Sequence, residues 1–108
     1  MKRKSNKSIL DNTVQEPKLK EEWTSLDFTR IKQKICLHFQ KPYKMVCSWL
    51  GLVYTSTSAY AGLWVCNKDE PHKKYKGFRY YGFAISEDGK SFYSVLKSTD
   101  ETYMYVKL

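Results

Sequence analysis

Within eight residues the chain places His72, Lys73, Lys74, Tyr75, Lys76, Gly77, Phe78 and Arg79, four fixed cations and two phenyl-bearing rings. Residues of these types in one loop suit phosphate contact, with a ring free to stack. The alternative is a solvated connection whose field is partly cancelled by Asp69 and Glu70 just upstream. A second set lies at the end of the chain. Tyr103, Met104, Tyr105, Val106, Lys107 and Leu108 alternate, so a strand presents Met104, Val106 and Leu108 on one face and Tyr103, Tyr105 and Lys107 on the other. Tyrosines interleaved with lysines on an open sheet form a surface on which bases stack while phosphates are neutralised. The same face could meet a protein, since tyrosine also favours half-exposed strand positions.

Other chemistries find less support. Cys36, His38, Cys47, Cys66 and His72 are the available soft ligands, and none form a pair at the spacing of ordinary zinc sites. No metal or cofactor is expected. There is no Gly-x-Ser-x-Gly, Gly-rich phosphate loop or His-Glu-x-x-His. A small ribonuclease toxin built on His72 and Arg79 stays open as an alternative, because RNA cleavage needs only a proton shuttle and convergent cations. His38 is the weaker candidate there, lying beside an apolar helical stripe.

These side chains need a scaffold. Thr24 followed by Asp27 forms a capping pair, and Phe28, Ile31, Ile35 and Phe39 recur at helical spacing. The pattern predicts a helix from about residue 24 to Phe39, closed by Pro42. The run 43–54 is apolar on both faces and is read as a strand, with a short helix as the alternative. A polar turn over 55–58 leads to a second strand, 60–66, and a loop follows over 67–76. Asp88 and Gly89 carry the signal of a two-residue type I′ hairpin between 78–87 and 90–97. That register opposes Ile85 to Phe92, Ala84 to Tyr93, Phe83 to Ser94, Gly82 to Val95, Tyr81 to Leu96 and Tyr80 to Lys97. Pairing Lys97 with Tyr103 then adds the last strand. The inner face would hold Tyr81, Phe83, Ile85, Phe92, Leu96, Met104, Val106 and Leu108. The outer face would hold Tyr80, Tyr93, Lys97, Tyr103, Tyr105 and Lys107, with Gly82 and Ala84 leaving room between rings.

The expected fold class is α+β: one N-terminal helix packed on an antiparallel sheet of about five strands, preceded by a disordered basic arm. The arm would span 1–22 and the single domain 23–108. Of 108 residues, 16% are aromatic, which supplies a core without disulfides or metal. The net charge is +8, and half of it comes from Lys2, Arg3, Lys4, Lys7, Lys18 and Lys20 set against Asp11 and Glu16. Such a balance favours polyanionic partners. Three cysteines without a CxxC, no apolar run behind Lys2-Arg3-Lys4, and no segment long enough to span a bilayer point to a reduced, intracellular, cytoplasmic setting, or a nuclear one in a eukaryote.

The leading expectation is a non-enzymatic protein that binds nucleic acid, single-stranded in preference. Its site would comprise Lys73, Lys74, Lys76, Arg79, Tyr80, Tyr93, Lys97, Tyr103, Tyr105 and Lys107. The alternative is a small protein-binding module, an accessory subunit or inhibitor carried by a virus or mobile element. Trp49 and Trp64 discriminate: either one exposed beside the tyrosines would favour a protein partner.

Overall fold

The computed structural model describes residues 13–14, 16–54 and 62–108. Helix α1 spans Ser25–Phe39. The Thr24 hydroxyl accepts from the Asp27 amide at 3.2 Å, and the Asp27 carboxylate accepts from the Thr24 amide at 2.8 Å, so the expected capping pair is a complete capping box. Ile31 and Ile35 face the core, and Gln40 ends the helix in a left-handed conformation.

The strand expected over 43–54 is corrected by a second helix, α2, Tyr43–Leu50. Pro42 starts it and Gly51, at φ +64°, stops it by donating its amide to the Cys47 carbonyl. Proline before and glycine after an apolar run are helix punctuation. Only the end of that run continues as a strand, β2 (Leu52–Tyr54), paired antiparallel with β3 (Trp64–Cys66). The expected 55–58 turn lies outside the described residues.

Strands β4 (Phe78–Ile85), β5 (Phe92–Ser98) and β6 (Tyr103–Lys107) continue an antiparallel sheet, and a two-residue edge strand, β1 (Thr13–Val14), pairs with β6. With both helices on one face, the fold is α+β. The register of Ile85 with Phe92 and of Lys97 with Tyr103 is as expected. The turn between β4 and β5 differs. Gly89 donates to the Ser86 carbonyl and alone has a positive φ, so Glu87 and Asp88 occupy its centre, whereas a type I′ turn needs two left-handed residues. The Asp88 carboxylate accepts from the Ser86 hydroxyl and the Lys90 amide, which braces this turn and holds its pKa below the carboxylate range.

A β-bulge between Tyr80 and Gly82 corrects the other half of that hairpin. Tyr80 opposes Leu96 and enters the core, while Tyr81 moves to the outer face. One extra residue inverts every side chain beyond it. The core joins Ile31, Ile35, Val46 and Leu50 of the helices to Tyr80, Phe83, Ile85, Phe92 and Leu96 of the sheet.

The outer face is also covered. Val14 pairs with Tyr105 at one edge, and Leu19 bridges Ser86 just past the end of β4, with the Lys20 amide donating to the Ile85 carbonyl at 2.8 Å. Residues 16–20 thus run across the sheet, and Leu19 packs on Leu63, Ala84 and Val95. Lys20 then pairs with Asp27 at 2.7 Å, tying this strap to the first turn of α1. Of the stretch expected to form a disordered arm, residues 1–12 and 15 lie outside the described residues, and the described remainder lies along the sheet.

Candidate functional site

The sheet face singled out in the sequence divides into a covered and an open part. Tyr93 is 6% exposed, with its ring edge-on to Tyr105. Tyr105 is half-buried, and desolvation, Glu16 and Tyr103 in that order raise its pKa. Tyr80 is on the opposite face, in the core. Tyr103 is exposed and lies 5.5 Å from Tyr81, with the Lys97 ammonium over both rings. Lys107 is exposed at the far end of β6. No continuous platform of Tyr80, Tyr93, Tyr103 and Tyr105 is formed.

Arg79 opposes Lys97 across β4 and β5, a like-charge pair that would repel. Asp69 relieves it by pairing with the Arg79 guanidinium. Together with Lys68, Ser98 and Thr99 these residues line an open hollow of about 410 Å³ on the outer face.

The basic loop leads to the other side of the molecule. Its residues 70–72 run beside β4, with the Tyr80 amide donating to the Glu70 carbonyl and the His72 amide to the Phe78 carbonyl. Lys73, Lys74 and Lys76 are exposed, whereas Tyr75 is buried. Gly77, at a φ of +88° that side chains resist, lets the chain reverse there. The reversal seats His72 against Tyr80, ring centroids 5.0 Å apart.

Around that contact lies a groove of about 570 Å³, within the range of ligand sites. Its rings come from four separate segments: Phe39 at the end of α1, Trp49 on α2, His72 on the loop and Tyr80 on β4. Phe39, Trp49 and Tyr80 meet one another at 5.4–5.8 Å, mostly edge to face. Lys41, Lys73 and Lys74 stand exposed on the rim, and Glu70 is half-buried within it. Desolvation, followed by Cys66 and Glu70, pushes the Tyr80 phenol up to about 12, so it stays a neutral hydroxyl.

His72 is fixed in one tautomer. Its Nδ1 accepts from the Lys74 and Tyr75 amides at 3.1 and 3.2 Å, which leaves the proton on Nε2. Desolvation, with His38 and Lys74 adding repulsion, lowers its pKa. His72 is therefore a neutral donor at pH 7, unsuited to taking a proton at Nε2. It also lies on the groove, whereas Arg79 faces the outer hollow, so the two residues expected to converge in a ribonuclease line different cavities.

Trp64 is buried and Trp49 is half-buried among the groove rings, so neither lies exposed beside the outer tyrosines. Phe39, Trp49, Lys41 and Glu70 are not among the site residues expected from sequence, although Trp49 followed by Gly51 at the end of an apolar run is a usable sign of a helix terminus. Among the described residues no cluster of three or more His, Cys, Asp or Glu could hold a metal ion. Burial pushes the Cys66 thiol up to about 12, which makes it a poor nucleophile and ligand. Among the described residues no helix is long and apolar enough to cross a membrane. Compared with known proteins, the chain matches no family model, no curated protein and no solved structure.

Proposed function

We propose that this protein binds single-stranded nucleic acid without cleaving it, with a base seated in the groove of Phe39, Trp49, His72 and Tyr80 and the adjoining phosphates on Lys41, Lys73 and Lys74. The observation that carries the reading is the union, in one concavity, of an aromatic floor and a lysine rim. Rings accept any base by stacking, and the ammonium groups meet a backbone whose charge the chain's excess of +8 would attract. A duplex keeps its bases stacked on one another and offers the floor nothing. The neutral, Nε2-protonated His72 supports holding a ligand over general base catalysis.

Titration of labelled single-stranded and duplex RNA and DNA at several salt concentrations tests this. Single strands should bind more tightly than duplex. In a Lys73→Ala, Lys74→Ala variant the slope of log affinity against log salt should flatten by about 1.4, at about 0.7 for each phosphate no longer neutralised. Equal affinity for duplex, or an unchanged slope, would refute the assignment of this groove.

A protein partner is the second reading. It is favoured by Leu37 and Met45, 75% and 55% exposed on α1 and α2, and by the largely apolar hollow of Thr29, Lys32, Gln33, Cys36 and Leu37.

A further inference from the structure

We infer that the groove selects guanine, and that Glu70 is the residue that selects it; this rests on the reading of the groove as a base-binding site. A carboxylate is out of place in a site built only to hold polyanions, because it repels the phosphates that the lysines attract. Glu70 nevertheless lines the groove, half-buried, beside the Tyr80 ring. Among the described residues its carboxylate makes no hydrogen bond and no ion pair, even with Lys73 and Lys74 on the same rim. An ionised carboxylate only accepts hydrogen bonds, through two oxygens set side by side.

The bases differ in what they offer such a group. Guanine presents two adjacent donors, N1–H and the N2 amine, to both oxygens at once. Adenine and cytosine each set one exocyclic amine beside an unprotonated ring nitrogen whose lone pair would face the second oxygen. Uracil and thymine offer one N–H between two carbonyls. Guanine alone satisfies both oxygens without a repulsive contact, and its O6 accepts from a donor of the kind that His72 Nε2–H supplies. Stacking on Trp49 and Tyr80 is common to all bases, so the carboxylate decides among them.

The test uses the full chain and the RNA heptamers UUUGUUU, UUUAUUU, UUUCUUU and UUUUUUU, with 5′-GMP alongside, followed by Trp fluorescence. The guanine heptamer should bind roughly tenfold tighter than the other three, the size expected of a bidentate base contact. In Glu70→Gln the ratio of guanine to uracil affinities should fall to about one, with far-UV circular dichroism confirming the fold. Equal wild-type affinities for the four heptamers, or a Glu70→Gln variant that raises all four equally, would overturn the guanine assignment and leave strand binding intact. If 5′-GMP binds as tightly as the guanine heptamer, the guanine assignment stands and the strand reading falls. No binding of any probe at low salt would overturn both.

Discussion

The outer sheet face and the groove at the end of the helical layer are made of the same materials, aromatic rings and lysine ammoniums, and differ in what lies over them. On the outer face Leu19 of the strap covers Ala84 and Val95, and the Tyr81, Lys97 and Tyr103 cluster with its neighbouring hollow stays open at one end. At the groove nothing in the described chain fills the space between Phe39, Trp49, His72 and Tyr80. Ring and charge content set what a surface could bind, but the path of a distant segment sets whether it is accessible. Alternation along a strand reports the first and is silent on the second.

The outer face loses its cover if the strap is lifted. A Cβ at Gly62 would stand 2.6 Å from the Lys20 carbonyl, at a φ of +79° that side chains resist. Gly62→Ala should cost about 2–4 kcal/mol from the clash and the strained backbone, measured by urea unfolding. If the loosened protein then binds single strands more tightly than wild type, the outer face is a binding surface held shut, and the two regions do not differ in kind. Next in size, Trp49→Ala should weaken single-strand binding about tenfold or more, the loss of a stacked base being worth about 1–3 kcal/mol. Tyr105→Ala should change the same affinity less than about twofold. Anisotropy titrations of both variants side by side decide which aromatic set matters.

Asp27 serves both regions, because it caps α1 and anchors Lys20 of the strap. Desolvation acts to raise its pKa, but the bonds from Lys20 and Thr24 outweigh it and hold the carboxyl below 3.8. A carboxylate with a depressed folded pKa contributes stability that is fully present well above 3.8 and is lost as pH falls through the folded value. Asp27→Asn should therefore cost about 1 kcal/mol at pH 7, and its gap from wild type should close in urea titrations below about pH 3.8. The smallest effect concerns His72. Its folded pKa also lies below the ordinary 6.5, so its contribution is complete above pH 6.5 and fades as pH falls from there. Protonating Nδ1 evicts the Lys74 and Tyr75 amides, and hydrogen exchange at those two amides should quicken, relative to the intrinsic rate, as pH falls below 6.5, with little change in global stability.

Elements defined by neighbours in sequence are legible. Thr24 and Asp27 announce α1, the Phe28, Ile31, Ile35 and Phe39 spacing carries it to its end, and the Asp88-Gly89 turn sets the β4–β5 register even though its geometry is not type I′. The helix at 43–50 reads as a strand because its residues are apolar all round, which hides the period, while Pro42 and Gly51 hold the information as start and stop signals. The Tyr81 bulge has one local sign, Gly82 inside the strand, where a Cβ would stand 2.7 Å from the Trp64 carbonyl, but a glycine does not say which residue is the extra one. Only part of the groove is visible in sequence. His72, Lys73 and Lys74 stand out as a basic loop, but Phe39, Trp49 and Tyr80 reach it from three other segments, and no spacing rule connects them.

The strap also sets an order of events. Thr13 pairs with Val106, nearly the full described chain apart, whereas β4 pairs with β5 and β5 with β6, each with its immediate successor. Contacts between such distant residues form late, because a long loop must close before they are rewarded. On a ribosome the first of these two partners would emerge long before the second. Until β6 is made, β1 has no edge to join, and the strap is held only by the bonds of Lys18 and Lys20 to the end of β4. The cover over Ala84 and Val95 is thus fastened at one end early in synthesis and at the other only when the last strand arrives.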